Sequence, residues 1–139
     1  SEFEALRLAT ERSGKTPKVF MLTIGSLAMR LARSQFSSNF FACAGYQVID
    51  NLGFETVEAG VEAAVEAGAS IVVLCSSDDE YVTYAPAAYK ALAGKAEFVV
   101  AGAPACMDDL KSQGITEFIN VKSNVLETLK SFNTKLGIA

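Results

Sequence analysis

The chain has 139 residues, 50% of them hydrophobic and 20% charged, which suits one folded domain with a sizeable core and excludes a largely disordered polypeptide. Its 12 basic and 16 acidic residues leave a formal charge of -4, with no basic footprint for a nucleic acid. Its longest apolar runs are strand-sized, well short of the roughly 20 residues of a bilayer span, and Ser1–Leu6 lacks the basic and apolar regions of a secretory signal, so a cytoplasmic protein is expected.

Residues 1–16 carry Phe3, Leu6 and Leu8 in a polar stretch ending in Ser13-Gly14-Lys15-Thr16-Pro17. This is either a short docked helix or a linker from an upstream domain. From residue 17 to 139, five strand-like runs alternate with five helix-like runs. Lys18–Leu22 reads as a strand buried on both faces. Gly25 and Ser26 break it, and Ser26 is placed to cap a helix. In that helix Met29, Ala32, Phe36, Phe40 and Cys43 recur at spacings of three and four, predicting the core face. Arg30, Arg33, Ser34 and Ser37 fall off that face, as does Phe41, which is left to cover residues 1–16 or a partner.

Tyr46–Asp50 is the second strand. Thr56 is the expected N-cap of a helix with Val57, Val61, Ala64 and Val65 inward and Gly68 at its end. Ser70–Leu74 is the third strand. Ser77-Asp78-Asp79-Glu80 has capping-box spacing, and Pro86 is expected to divide the helix that follows. Ala96–Ala101 is the fourth strand, with Pro104 near the start of a helix ending at Gly114. Glu117–Val121 is the fifth strand. Ser123 is the expected cap of a last helix with Val125, Leu129, Phe132 and Leu136 inward. Such repetition predicts an α/β fold: a doubly wound, five-stranded parallel sheet. By analogy it takes the flavodoxin-like order 2-1-3-4-5.

Ligands of such sheets bind beyond the strand carboxyl ends. The loop at Gly25 lacks the Gly-x-Gly-x-x-Gly of a dinucleotide site, and Gly14-Lys15-Thr16 lies before the first strand rather than after it. No histidine is present, which removes the commonest general base near neutral pH and the commonest metal ligand. Cys75-Ser76-Ser77-Asp78-Asp79-Glu80-Tyr81 gathers a thiol, hydroxyls and acids. It reads first as a helix cap with a solvated rim, and otherwise as a polar-ligand or thiol site. Carboxylates beside Cys75 would raise its pKa and weaken it as a nucleophile. Gly102-Ala103-Pro104-Ala105-Cys106 is either a tight turn or a place where a flat ligand nears the backbone. Cys43, Cys75 and Cys106 are odd in number and widely spaced, so they read as reduced thiols. No catalytic residue and no metal site is expected.

Phe3-Glu4-x-Leu6-Arg7, Lys15-x-Pro17-Lys18-Val19-Phe20, Arg33-x-x-Phe36-x-x-Asn39-Phe40-Phe41-x-x-Ala44-Gly45 and Leu74-Cys75-Ser76-Ser77-x-x-x-Tyr81 occur in order. Together with Ala91-Leu92, Phe98–Gly102 and Gly114-Ile115, they resemble the carboxyl-terminal part of methylmalonyl-CoA mutase small (beta) subunits. The resemblance implies a cobalamin-binding-like domain, connected through residues 1–16 to an absent upstream barrel. It also implies a heterodimer whose large subunit holds adenosylcobalamin and interconverts methylmalonyl-CoA and succinyl-CoA. In the large-subunit form of the domain, Asp-x-His-x-x-Gly supplies the cobalt-ligating histidine. Here Met29 stands near the place of that histidine, Ser76 and Ser77 replace a Ser-x-Leu motif, and paired glycines are reduced to Ala101-Gly102. With Gly25 and Ser26, these positions mark a degenerate cofactor site at which no cofactor is expected to bind. The alternative is a module that still takes cobalamin or another small ligand without a protein cobalt ligand.

Overall fold

The computed structural model describes residues 1–138. Five parallel strands, β1 (Lys18–Thr23), β2 (Gln47–Ile49), β3 (Ile71–Cys75), β4 (Glu97–Ala101) and β5 (Phe118–Ile119), form one sheet in the order β2-β1-β3-β4-β5. Apart from Lys18, Thr23 and Glu97 at their ends, the central strands are apolar, because alternate side chains enter different cores. Val19 and Met21 join the core under α1 (Glu2–Arg12), α2 (Leu27–Ala42) and α6 (Val125–Lys135). Phe20 and Leu22 join the core under α3 (Val57–Glu66), α4 (Tyr81–Leu92) and α5 (Met107–Ser112).

Residues 2–12 form a helix with a complete capping box between Ser1 and Glu4. Leu6 is buried in the same core as Phe41 and Phe132. Glu2 pairs with Lys130 of α6 at 3.5 Å, and the Lys15 ammonium donates to the Leu136 carbonyl at 3.0 Å. This segment is therefore fastened at both ends to the last helix.

The rotation of α2 corrects the expected core face. Ser34, Ser37, Phe40 and Phe41 are buried, whereas Ala32 is exposed and Met29, Phe36 and Cys43 are only half-buried. Small hydroxyl residues let the helix lie close to the sheet. Ser34 donates to the Asp50 carboxylate at 2.7 Å, which satisfies one of the two buried hydroxyls. Phe41 is fully buried, packed edge-on against Phe132 and Phe40.

Three further expectations change. Val65 is exposed, and Gly60 takes its place on the inner face of α3, where an added Cβ would come within 2.9 Å of Leu22. Pro86 does not divide α4, which is continuous from Tyr81 to Leu92. The carbonyl that Pro86 leaves without its helical donor belongs to Val82, an exposed residue, so water can reach it. Asn124 caps α6 by accepting from the Glu127 amide, while Ser123 instead accepts from the Asn120 amide in the preceding turn. Thr56 and Ser26 cap α3 and α2 as expected.

Candidate functional site

The carboxyl ends of β1, β3 and β4 meet the amino ends of α2 and α4. Gly25 follows β1 with φ +77°, and Gly102 follows β4 with φ +140°, backbone conformations that favour glycine. Neither glycine opens onto empty space. A Cβ on Gly25 would overlap the Glu80 carboxylate, and one on Gly102 would lie 3.0 Å from the Arg33 guanidinium carbon.

Glu80 comes from the turn before α4. Its Oε1 accepts from the Ser26 amide at 2.8 Å, the Ser77 hydroxyl at 2.7 Å and the Ser76 hydroxyl at 3.2 Å. The expected capping box is thus only half made: the Glu80 amide meets Ser77 Oγ at 3.4 Å, but its carboxylate turns away to the start of α2. There it complements the positive end of the helix dipole. The Ser26 amide, then the Ser77 hydroxyl, hold the Glu80 carboxyl below the usual carboxylate range.

Arg33 crosses from α2 to the ends of β3 and β4. Its Nη1 donates to the Ser76 carbonyl and pairs with Asp78, both at 2.8 Å, and its guanidinium lies 5.5 Å from the Tyr81 ring centroid. Tyr81 lies beneath, fully buried. Its hydroxyl donates to the Ala101 carbonyl at 2.5 Å and accepts from the Ser76 amide at 3.0 Å, bridging β4 and the end of β3. Burial pushes its phenol strongly upward, so at neutral pH Tyr81 is a neutral strut. Arg30 closes the β2 side, donating to the Gly25 and Leu52 carbonyls. Arg33 and Asp78 of this cluster also form one wall of a groove of about 390 Å³ between α2 and the ends of β4 and β5, bordered elsewhere by Phe36, Gly102, Ile119 and Asn120.

The sequence-marked positions divide accordingly. Gly25, Ser26, Ser76, Ser77, Ala101 and Gly102 all contact or adjoin the Glu80–Arg33–Tyr81 cluster. Met29 is half-buried on α2, and its amide donates to Ser26 Oγ at 3.4 Å. The side chains that occupy the strand ends are Glu80, Arg33, Arg30 and Tyr81, of which the two arginines lie off the apolar face expected for α2. Among the described residues, no cluster of three histidine, cysteine or acidic side chains suits a metal ion. No described helix is long and apolar enough to cross a membrane.

The thiols differ in chemistry. Cys75 is buried on β3, and burial pushes its pKa up to about 12, while Cys43 and Cys106 are half-buried. Cys75 is expected to resist a thiol reagent at neutral pH until the chain unfolds. Counting modified cysteines by mass before and after denaturation checks this; modification of Cys75 in the folded chain contradicts it.

The fold is that of a flavodoxin-like, doubly wound α/β domain. A novel cobalamin-binding protein from Desulfitobacterium hafniense shares it with a TM-score of 0.59 at 22% identity, over 95% of this chain and 66% of that one. In sequence, the chain is 76% identical over 99% of its length to the methylmalonyl-CoA mutase small subunit of Porphyromonas gingivalis, of which it spans 22%. It is 34% identical over 97% of its length to a probable small subunit from Mycobacterium bovis, spanning 23% of it. With the Streptomyces virginiae small subunit it shares 30% identity over 93% of its length, covering 20% of that protein. The chain thus matches a segment of these small subunits and spans about a fifth of their length. No family model matches it.

Proposed function

We propose that the chain is the non-catalytic, carboxyl-terminal cobalamin-binding-like domain of a methylmalonyl-CoA mutase small subunit. Residues 17–139 carry the cobalamin-binding-like unit, and residues 1–16 are the segment docked on it that connects to an upstream barrel. The domain works in the cytoplasm as structural support for a large subunit. That partner holds adenosylcobalamin and interconverts methylmalonyl-CoA and succinyl-CoA.

One observation carries this reading: the strand-end cradles at Gly25 and Gly102 hold the chain's own Glu80 and Arg33, in a sequence without histidine. The residues present therefore do not fit a cobalamin seated against these loops. Aqueous titration of the 139-residue chain with hydroxocobalamin is expected to give no saturable change in visible absorption. A saturable spectral shift overturns the reading. Retention of the small subunit by an immobilised large subunit is the matching test of the partner.

A second reading rests on the groove beside β4 and β5. That space favours a module which still takes a small ligand without a protein cobalt ligand. Protection of Phe36 and Asn120 resonances on adding cobinamide, a corrinoid without the nucleotide tail, would support it.

A further inference from the structure

Gly25 and Gly102 look, in sequence, like what is left of a cofactor cradle. In the fold each is the seat of a charged side chain arriving from another element. Glu80 is anchored by the Ser26 amide and by the hydroxyls of Ser76 and Ser77. Arg33 is anchored by the Ser76 carbonyl, the Asp78 carboxylate and the Tyr81 ring. These anchors fix both groups at the strand ends, because displacing either leaves several polar partners exposed at once. Glu80 already supplies the negative charge that the amino end of α2 attracts. Arg33 already fills the close approach to the backbone at Gly102. Between them they occupy the close approach to the backbone at Gly25 and Gly102, with Tyr81 beneath, while the groove toward β5 stays open beside Arg33.

We propose that Glu80 and Arg33 are the specificity-determining residues of this strand end, internal occupants that exclude a corrinoid from the cradles of Gly25 and Gly102. This inference rests on the reading that the domain binds no cofactor, and it names the side chains responsible. Two consequences separate it from simple loss of affinity. Removing the occupants must restore some access. Each glycine must also be required by the side chain seated on it, and not by backbone conformation alone.

The test compares the wild-type chain, Arg33→Ala, Glu80→Ala and the double variant, each checked for folding by circular dichroism and titrated with hydroxocobalamin. The expected result is a saturable visible shift in the double variant, at least about tenfold tighter than any wild-type response. If the double variant does not fold, the Arg33→Ala chain, in which Glu80 still holds the start of α2, decides in the same way. Folded variants that take up no more cobalamin than a silent wild type overturn the exclusion role and leave the non-binding reading standing. A wild-type chain that itself binds saturably overturns both. Gly102→Ala is then made in the wild-type and Arg33→Ala backgrounds as a double-mutant cycle. It is expected to lower the denaturation midpoint more where Arg33 is present. Equal losses in the two backgrounds overturn the seat.

Discussion

Phe41→Ala is expected to destabilise the chain by about 3–5 kcal/mol, the range for truncating a buried phenylalanine. The ring is fully buried, with centroids 5.3 Å from Phe40, 5.5 Å from Phe132 and 6.3 Å from Tyr46. It joins α2 to α6 and, through Leu6, to α1. Its removal leaves a cavity where three helices meet the sheet, and little around it can collapse inward. A typical domain has only about 5–15 kcal/mol of net stability, so this one change removes a large share. Urea denaturation measures it. Phe36→Ala is the internal comparison, because Phe36 is half-buried at the edge of the groove and should cost distinctly less. A larger loss from Phe36 than from Phe41 would mean that α2 is rotated as its apolar spacing alone suggests.

That comparison marks where the sequence is legible. The β1, β3 and β4 strands are readable because continuous apolar runs of strand length have one good explanation, burial on both faces. The caps at Thr56 and Ser26 are readable because the donor and acceptor lie three residues apart. The face of α2 is not. Leu27 and Leu31 are exposed, whereas Phe40 and Phe41 are buried together with Ser34 and Ser37. Apolar periodicity weighs bulk, whereas close helix–sheet packing selects small side chains, here Ser34 with its hydroxyl on Asp50 and the fully buried Ser37. The strand-end cluster is hidden for a different reason. Ser77 and Glu80 announce a local cap, but another partner of that carboxylate, the Ser26 amide, lies 54 residues away. Arg33 meets Ser76 43 residues away. Its charge reads as a solvent-facing position until the crossover brings β3 alongside β1. The absence of histidine, by contrast, is legible without any structure, whereas the side chains that gather at the strand ends are not.

The strut under that cluster gives the second large effect. Tyr81→Ala is expected to cost about 3–5 kcal/mol, as for other buried aromatic truncations. Tyr81→Phe separates the hydroxyl from the ring. It keeps the aromatic face under Arg33 but leaves the Ser76 amide and the Ala101 carbonyl without the partner they share. An unmet buried donor costs about 1–3 kcal/mol, which is the loss expected for this variant. The two variants also differ from wild type in how stability responds to alkali. The folded phenol of Tyr81 is pushed above its unfolded value of about 10 by burial. The folded state therefore holds this proton where the unfolded state releases it. Its contribution is complete below about pH 10 and is lost as pH rises from there toward the folded value. Tyr46, with a phenol pushed up to about 12, behaves in the same direction and is present in both proteins. The wild-type chain should therefore lose up to about 1.4 kcal/mol more per pH unit above pH 10 than Tyr81→Phe, one proton's worth of slope. Denaturant midpoints measured from pH 8 to 11 test this. Parallel slopes would mean that the Tyr81 hydroxyl is solvated, and that the strand ends are less tightly closed than the Arg33–Tyr81 stack implies.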